Sequence, residues 1–311
     1  MSLAALTERL RPLQLWSAVG LPASQSLIEV QFRDDRTSRE VTRNQVVLSL
    51  APLCIGIGGL GARGAGDNRA ELSFRDRGTG VELGSLQLAE DGSITAGDTT
   101  VCCHRVLGGR HRCLPGPLRL WQSWLQRRRR NTGSPFDMSP AALEQLAVFY
   151  ICPRPVVLVS VEDGEHNNLF PMDLIGPLEH ECFVLSLRST SASVPAMAKS
   201  RRAVLVDVSM NDRSLAYSLG RHHRGPALDW SALPCAVERS VEFGLRVPAC
   251  GLRVRECEIV THEPRDSHVV FVCKVLSDQA RSEAPRLCHT SGIHQAWRRQ
   301  RGAVPWQAPT L

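Results

Sequence analysis

The 311-residue chain is 43% hydrophobic and 22% charged, a globular balance that excludes a disordered or fibrous protein. Its formal net charge of +6 suits an anionic ligand without requiring nucleic acid. The 11 cysteines are odd in number and scattered, several of them inside apolar runs (Cys54, Cys182, Cys273), which predicts reduced, buried thiols rather than a disulfide framework.

Glu8, Arg9 and Arg11 precede any long apolar run, so the start does not read as a secretory signal. No apolar run approaches the roughly 18 residues of a membrane span. A cytoplasmic protein is expected, with no membrane partner. A short helix is predicted over Leu3–Leu10, stopped by Pro12. Residues 27–33 (LIEVQFR) alternate as a half-buried strand does. Asn44–Gly56 is a longer apolar run broken at Pro52, and Ala70–Phe74, Gly80–Leu88 and Thr99–Leu107 read as further strands. Turns are expected at Asp76–Gly80 and Glu90–Gly97. Leu118–Arg128 reads as a short amphipathic helix, and the polar tract Arg127–Pro135 as a boundary. The expected division is a β-rich region over 1–134 and a second domain over 135–311. No internal repeat is visible.

Ser139–Tyr150 opens with Ser and Pro, a favourable helix entry. Strand-like runs follow at Val156–Val161, Cys182–Leu187 and Ala203–Val208. A hydroxyl cluster, Ser189, Thr190, Ser191 and Ser193, precedes a helix predicted over Val194–Lys199. Hydroxyls at a helix start suit an anion, because the free backbone N–H groups there donate toward it. The run Val241–Leu245 and two last strands, Leu252–Thr261 and His268–Val275, complete a mainly β second half.

Three patterns are weaker. Gly56, Gly58 and Gly61 satisfy G-x-G-x-x-G, but the following residues are Gly-rich rather than helical, so a flexible loop is expected, not a dinucleotide site. Cys102, Cys103, His104, His111 and Cys113 lack the paired knuckles of a zinc site, and the expected reading is a buried thiol on an exposed basic hairpin, with no metal. Arg127–Arg130 lacks interleaved aromatics, so it reads as a solvated linker rather than a nucleic-acid patch. His268 and His289 are candidates to line a site, and His222 and His223 sit in a basic loop.

The stretch from Arg154–Pro155, through Asn168–Leu178 (NLFPMDLIGPL), to LRSTSASVPAM resembles the flavin reductase-like family over about residues 138–300. The resemblance implies an FMN-binding split β-barrel with few helices, preceded here by an extra β-rich region. It implies FMN, or FAD, as cofactor, NAD(P)H as co-substrate and a homodimer as the assembly. Asn168, Leu169, Phe170, Pro171, Met172, Asp173 and Leu174 would lie along the isoalloxazine ring. Arg188, Ser189, Thr190, Ser191 and Ser193 would hold the phosphate. His268 or the Gly220–His223 loop would border the open face. Two positions depart from the family pattern: Asp173 stands where many members have Ser or Thr, and Ser191-Ala192-Ser193 where many have Lys-Asp-Thr. The expected activity is hydride transfer from NAD(P)H to flavin. The alternative is a non-catalytic flavin- or haem-binding, or interaction, protein on the same barrel.

Overall fold

The structure is a computed structural model that describes residues 16–23, 27–61, 69–114, 116–117, 138–164, 166–178, 182–220, 228–302 and 306. The helices expected over Leu3–Leu10 and Leu118–Arg128, the Arg127–Pro135 boundary and His222–His223 lie outside these residues.

Strand β1 (Trp16–Leu21) is followed by β2 (Ile28–Arg33), β3 (Ser38–Glu40), β4 (Gln45–Leu50), β5 (Leu53–Gly58), β6 (Arg69–Asp76), β7 (Glu82–Ala96) and β8 (Thr99–His111). Helix α1 (Pro140–Phe149) leads to β9 (Arg154–Pro155), β10 (Val157–Glu162), β11 (Asn167–Met172), β12 (Ile175–Leu178) and β13 (Cys182–Arg188). Then come α2 (Ser193–Ser200), β14 (Arg202–Asp207), α3 (Arg213–Leu219), β15 (Val237–Arg239) and β16 (Arg246–Pro248). The long hairpin β17 (Arg253–Arg265) and β18 (His268–Ala280), strand β19 (Arg286–Ser291) and helix α4 (Gly292–Gln300) finish the described elements.

Two seven-stranded antiparallel sheets dominate, ordered β3-β2-β6-β7-β8-β5-β4 and β11-β10-β14-β17-β18-β13-β12. All seven strands of the second sheet send side chains into one core, among them Val157, Phe170, Ile175, Leu185, Leu205, Cys257 and Phe271. The sheet therefore rolls around that core. The first sheet rolls likewise around Val30, Phe32, Val47, Ile55, Leu72, Leu86 and Val106. Alternation explains the local choice: in β2, Ile28, Val30 and Phe32 point inward while Arg33 is exposed. Phe271 is fully buried. Phe271→Ala is expected to cost about 3–5 kcal/mol, read as a lower midpoint in urea unfolding.

Helix α1 starts as expected, with the Ser139 hydroxyl accepting from Ala142 N–H at 3.1 Å. It packs on the first sheet rather than the second, through Leu143, Leu146 and Phe149. The first strand, β1, pairs with β19, which pairs with β9, so the two ends of the chain are tied together. Arg154 bridges the halves: its guanidinium lies 4.0 Å over the Phe149 ring and donates to the Gln45 carbonyl at 3.0 Å.

Two sequence readings need correction. The turn expected at Glu90–Gly97 is confined to Gly97 and Asp98; β7 runs to Ala96, absorbing Asp91 and Gly92 in a register shift between Glu90 and Ser93. The segment from Cys102 to Cys113 is not an exposed hairpin: Cys102, Cys103, His104, His111 and Cys113 are all buried, and the first four lie on β8. The run Val241–Leu245, to which the sequence assigns no element, turns at residues 241–243, where the buried Glu256 carboxylate accepts from Ser240 O–H and from the amides of Glu242 and Phe243. Gly56 and Gly58, from the glycine pattern, lie inside β5. A Cβ on Gly56 would meet Leu48 and Val101 within 3.0 Å, so this glycine serves close packing.

Candidate functional site

The site is built from the ends of β13 and β18 and the start of α2. In β13, Arg188 pairs with His268 of β18. The chain then turns through Ser189–Ala192 into α2. The turn is fixed by Ser189 N–H to the Ser267 carbonyl (3.1 Å), Ser191 N–H to Arg188 (2.9 Å) and Val194 N–H to Ser191 (3.1 Å). Ala192, at the N-cap, gives α2 no side-chain cap. The Ser191 hydroxyl takes the first helical amide, Ser193 N–H, and the positive end of the helix lies beside the exposed Ser189 and Thr190.

The hydroxyl cluster divides into two kinds. Ser191 and Ser193 are buried braces: the Ser191 hydroxyl accepts from Ser193 N–H at 3.4 Å, and the Ser193 hydroxyl accepts from the Asn168 side-chain amide at 3.1 Å. Ser189 and Thr190 are exposed. The Asn168–Ser193 bond joins two segments that lie 25 residues apart, the start of β11 and the start of α2.

Ser267 is a node. Its hydroxyl lies 2.9 Å from His268 Nδ1 and 3.2 Å from the Ser49 hydroxyl, and it accepts from Ala51 N–H at 3.3 Å. A hydroxyl carries one hydrogen and two lone pairs. With that hydrogen directed to His268 Nδ1, the network is satisfied and the histidine proton sits on Nε2. Burial, and then the Arg188 charge, push His268 down to about 4, so the ring is neutral near pH 7. Its Nε2 is buried and has no partner. An orphaned donor facing a cationic neighbour fits an anionic or carbonyl oxygen. Of the other cations near the loop, Arg201 is held by the carbonyls of Ile259 and Val260, and Lys199 lies 3.8 Å from Asp163.

The ring segment behaves less uniformly. Leu169, Phe170 and Met172 are core side chains, while Pro171, Asp173 and Leu174 are half-buried. Strand β11 is a sheet edge, so its outer backbone groups face away from the ladder. Leu228 N–H takes the Asn167 carbonyl, and Trp230 Nε1–H donates to the Asn167 side chain at 3.0 Å. Gly220 closes on Pro171 from the C-terminal end of α3.

Asp173 anchors a chain of hydrogen bonds that sequence reasoning did not assemble. Its Oδ2 accepts from Tyr150 O–H at 2.8 Å and from His289 Nδ1 at 2.7 Å. The far nitrogen of His289, Nε2, lies 3.1 Å from the Tyr217 hydroxyl, and the two rings stack with an interplanar angle of 6°. Burial raises the Asp173 carboxyl, but the bond and charge of His289, with the bond from Tyr150, outweigh it and leave its pKa below the usual 3.8. One tautomer satisfies every atom: Nδ1–H donates to the carboxylate and Nε2 accepts from Tyr217. Tyr150 is buried and Tyr217 is exposed, so the chain runs from the interior to the surface. Its members are 23, 116 and 72 residues apart, and no local spacing marks them. Among the described residues no group of three or more His, Cys, Asp or Glu side chains is placed to hold a metal ion.

Comparison with known proteins identifies this half. Residues 149–296 match the family model described as a flavin reductase like domain. The chain thus carries such a domain, preceded by an extra β-rich region. Among solved structures, the chain is similar to the FMN-binding protein of Thermus thermophilus with bound p-hydroxybenzaldehyde (20% identity, 43% of this chain and 75% of that one, TM-score 0.38). It is also similar to the NADH:FAD oxidoreductase SgcE6 of Streptomyces globisporus C-1027 (15% identity, 51% and 92%, TM-score 0.43). A third is BorF, the flavin reductase component of a bacterial two-component tryptophan halogenase (14% identity, 47% and 91%, TM-score 0.42). No curated protein matches the chain. Among the described residues no helix is long and apolar enough to cross a membrane.

Proposed function

We propose that residues 149–296 bind FMN and pass a hydride to it from NAD(P)H. The observation that carries this reading is the Asn168–Ser193 bond, which brings the ring segment and the phosphate loop together inside the matched domain. The orphaned His268 Nε2 beside Arg188 supports an anionic or carbonyl group at the same place.

In this reading the phosphate rests on the exposed hydroxyls of Ser189 and Thr190, the start of α2 and Arg188. Ser191 and Ser193 hold the loop in shape. Replacing both with Ala still weakens FMN binding, because Asn168 loses its acceptor and the loop its brace. Pro171, Asp173 and Leu174 border the ring, with the outer backbone edge of β11 beside them. A bound flavin supplies a two-electron acceptor that takes a hydride from the nicotinamide and a proton from its surroundings. The Asp173–His289–Tyr217 chain can carry a proton: Asp173 fixes the imidazole through Nδ1–H, and an imidazole protonated at Nε2 would donate to the Tyr217 oxygen and free its hydroxyl hydrogen to turn to the surface. This gives Asp173 a role that the Ser or Thr of many relatives does not share.

Purified protein is to be mixed with FMN and NADH, or NADPH, and nicotinamide oxidation followed by absorbance. Oxidation dependent on FMN is the expected result. FMN bound without any oxidation supports the non-catalytic alternative. His289→Ala is expected to slow turnover by about 100-fold while FMN affinity stays within about two-fold. An unchanged rate removes the proton role.

A further inference from the structure

The N-terminal region and the flavin reductase like domain have the same topology. Number the strands of each large sheet in chain order: β2 to β8 in the first, and β10, β11, β12, β13, β14, β17 and β18 in the second. Both sheets then read second, first, fifth, sixth, seventh, fourth, third, and every neighbouring pair is antiparallel in both. The agreement extends to irregularities. The long hairpin of each sheet has a register shift at the same point, between Gln87 and Leu88 and between Glu256 and Cys257. In each case the extra residue is an exposed leucine on the last strand, Leu107 and Leu276.

The shared pairing fixes which residues correspond. Cys54 pairs with Arg105 as Cys182 pairs with Lys274, and Gly58 pairs with Val101 as Ser186 pairs with Val270. Val46 pairs with Gly56 as Gly176 pairs with Val184. Val47 pairs with Ile55 as Pro177 pairs with Phe183; Leu178 then pairs with Cys182 as Ser49 pairs with Cys54, Leu48 being the extra residue of a register shift in β4.

These correspondences meet across the seam between the halves. One apolar cluster there joins Leu48, Cys54, Val101 and Cys103 of the first sheet to Leu178, Cys182, Val270 and Val272 of the second. The contacts are close to reciprocal, Leu48 standing one residue before the register counterpart of Leu178. The Ser186 hydroxyl donates to the Leu48 carbonyl at 2.6 Å, and a Cβ on Gly58 would lie 3.2 Å from Leu178. The corresponding residues Val46 and Gly176 face each other directly, with a Cβ on Gly176 3.4 Å from Val46 Cβ. Self-complementary contact of this kind, in which residue i meets j and the counterpart of i meets the counterpart of j, is the signature of a two-fold dimer interface. Here both faces belong to one chain.

We propose that the N-terminal region is a second, cofactor-free copy of the barrel that acts as a built-in partner subunit, so that one chain is the functional unit with one flavin site. The first copy lacks the hydroxyl cluster in its sequence. The connection corresponding to Ser189–Arg201 has the sequence GLGARGAGDN (residues 59–68), with no hydroxyl side chain. The first copy instead reaches across the seam. Ser49 and Ala51, at the end of β4, hold the Ser267 hydroxyl that in turn holds His268. Its β4 and β5 also cover the outer face of β12, β13 and β18, which a second chain would otherwise need.

The duplication stands on the fold alone, whereas the site role rests on the FMN reading above. The two are tested separately. Sedimentation equilibrium of the flavin-free full chain is expected to give one chain, 34.2 kDa. A mass of about two chains, roughly twice that value, overturns the built-in partner. Ser49→Ala is then titrated with FMN, where an affinity loss of about five-fold is expected. Wild-type affinity in that variant removes the first copy from the site. A chain that binds no FMN but sediments as a monomer contradicts the function while supporting the duplication.

Discussion

Arg188→Glu is expected to weaken FMN binding by about 100-fold or more, with the fold intact. Arg188 ends β13, directly before the exposed hydroxyls of Ser189 and Thr190, and pairs with His268. A charge-assisted hydrogen bond to phosphate contributes about 1.5–3 kcal/mol, and a carboxylate in its place adds repulsion to the dianion. A hundred-fold change corresponds to about 2.7 kcal/mol. Arg188 is half-buried at a strand end, so thermal melting is expected to move only slightly. Flavin fluorescence titration gives the affinity. If the variant binds FMN as the parent does, the phosphate is not on this loop. The same substitution reverses the charge that helps hold His268 down, so the histidine is expected to titrate at higher pH.

Acid is expected to destabilise the protein well before its carboxylates titrate. His268 is held down to about 4, by burial and then by Arg188. His294 is held down to about 3, by burial first and then by the charges of His111 and Arg298. Both ring nitrogens of His294 are buried without partners, between Trp297 and Trp306. The unfolded chain protonates both rings near their ordinary 6.5, so below that pH it binds more protons than the folded chain. The stability they contribute is complete above 6.5 and is lost as pH falls through that value toward about 4 and about 3. At about pH 5 the loss from the two is on the order of 4 kcal/mol, a large part of a typical folding free energy. Asp173 acts lower on the scale: its depressed pKa gives stability that disappears only as pH drops below the usual 3.8. Urea unfolding from pH 8 to pH 5 measures the slope. His294→Phe is expected to flatten it by about half, and an unchanged slope would assign the acid sensitivity elsewhere.

Much of the fold was legible because the strands alternate. LIEVQFR became β2, and the Val156–Val161 and Ala203–Val208 runs became β10 and β14 with shifts of a residue at their ends. The helix at Ser139–Tyr150 formed where its Ser cap and Pro put it, and the one after the hydroxyl cluster formed within a residue of Val194–Lys199 at each end. The duplication was not legible. Strand counterparts preserve which face is apolar but not the residue: Phe32 corresponds to Val159, and Ile55 to Phe183. A core tolerates such exchanges when total volume and pattern are kept, so the sequence signal fades while the strand order persists. The site was legible in its segments, not its roles. A run of Ser and Thr does not say which hydroxyls face outward, and the structure turns Ser191 and Ser193 into braces while exposing Ser189 and Thr190. Asp173 stood out only as a departure from a family pattern. Its partners Tyr150, Tyr217 and His289 are brought together by α1, α3 and β19, which no spacing rule connects.

The central claim, a flavin held between Asn168–Leu174 and Arg188–Ser193, is tested most directly by titrating the flavin-free chain with FMN and following quenching of flavin fluorescence. The account predicts saturable binding of one FMN per chain, weakened by Arg188→Glu and by the paired Ser191→Ala and Ser193→Ala substitutions. Fluorescence that stays unchanged in a large excess of folded protein would contradict it.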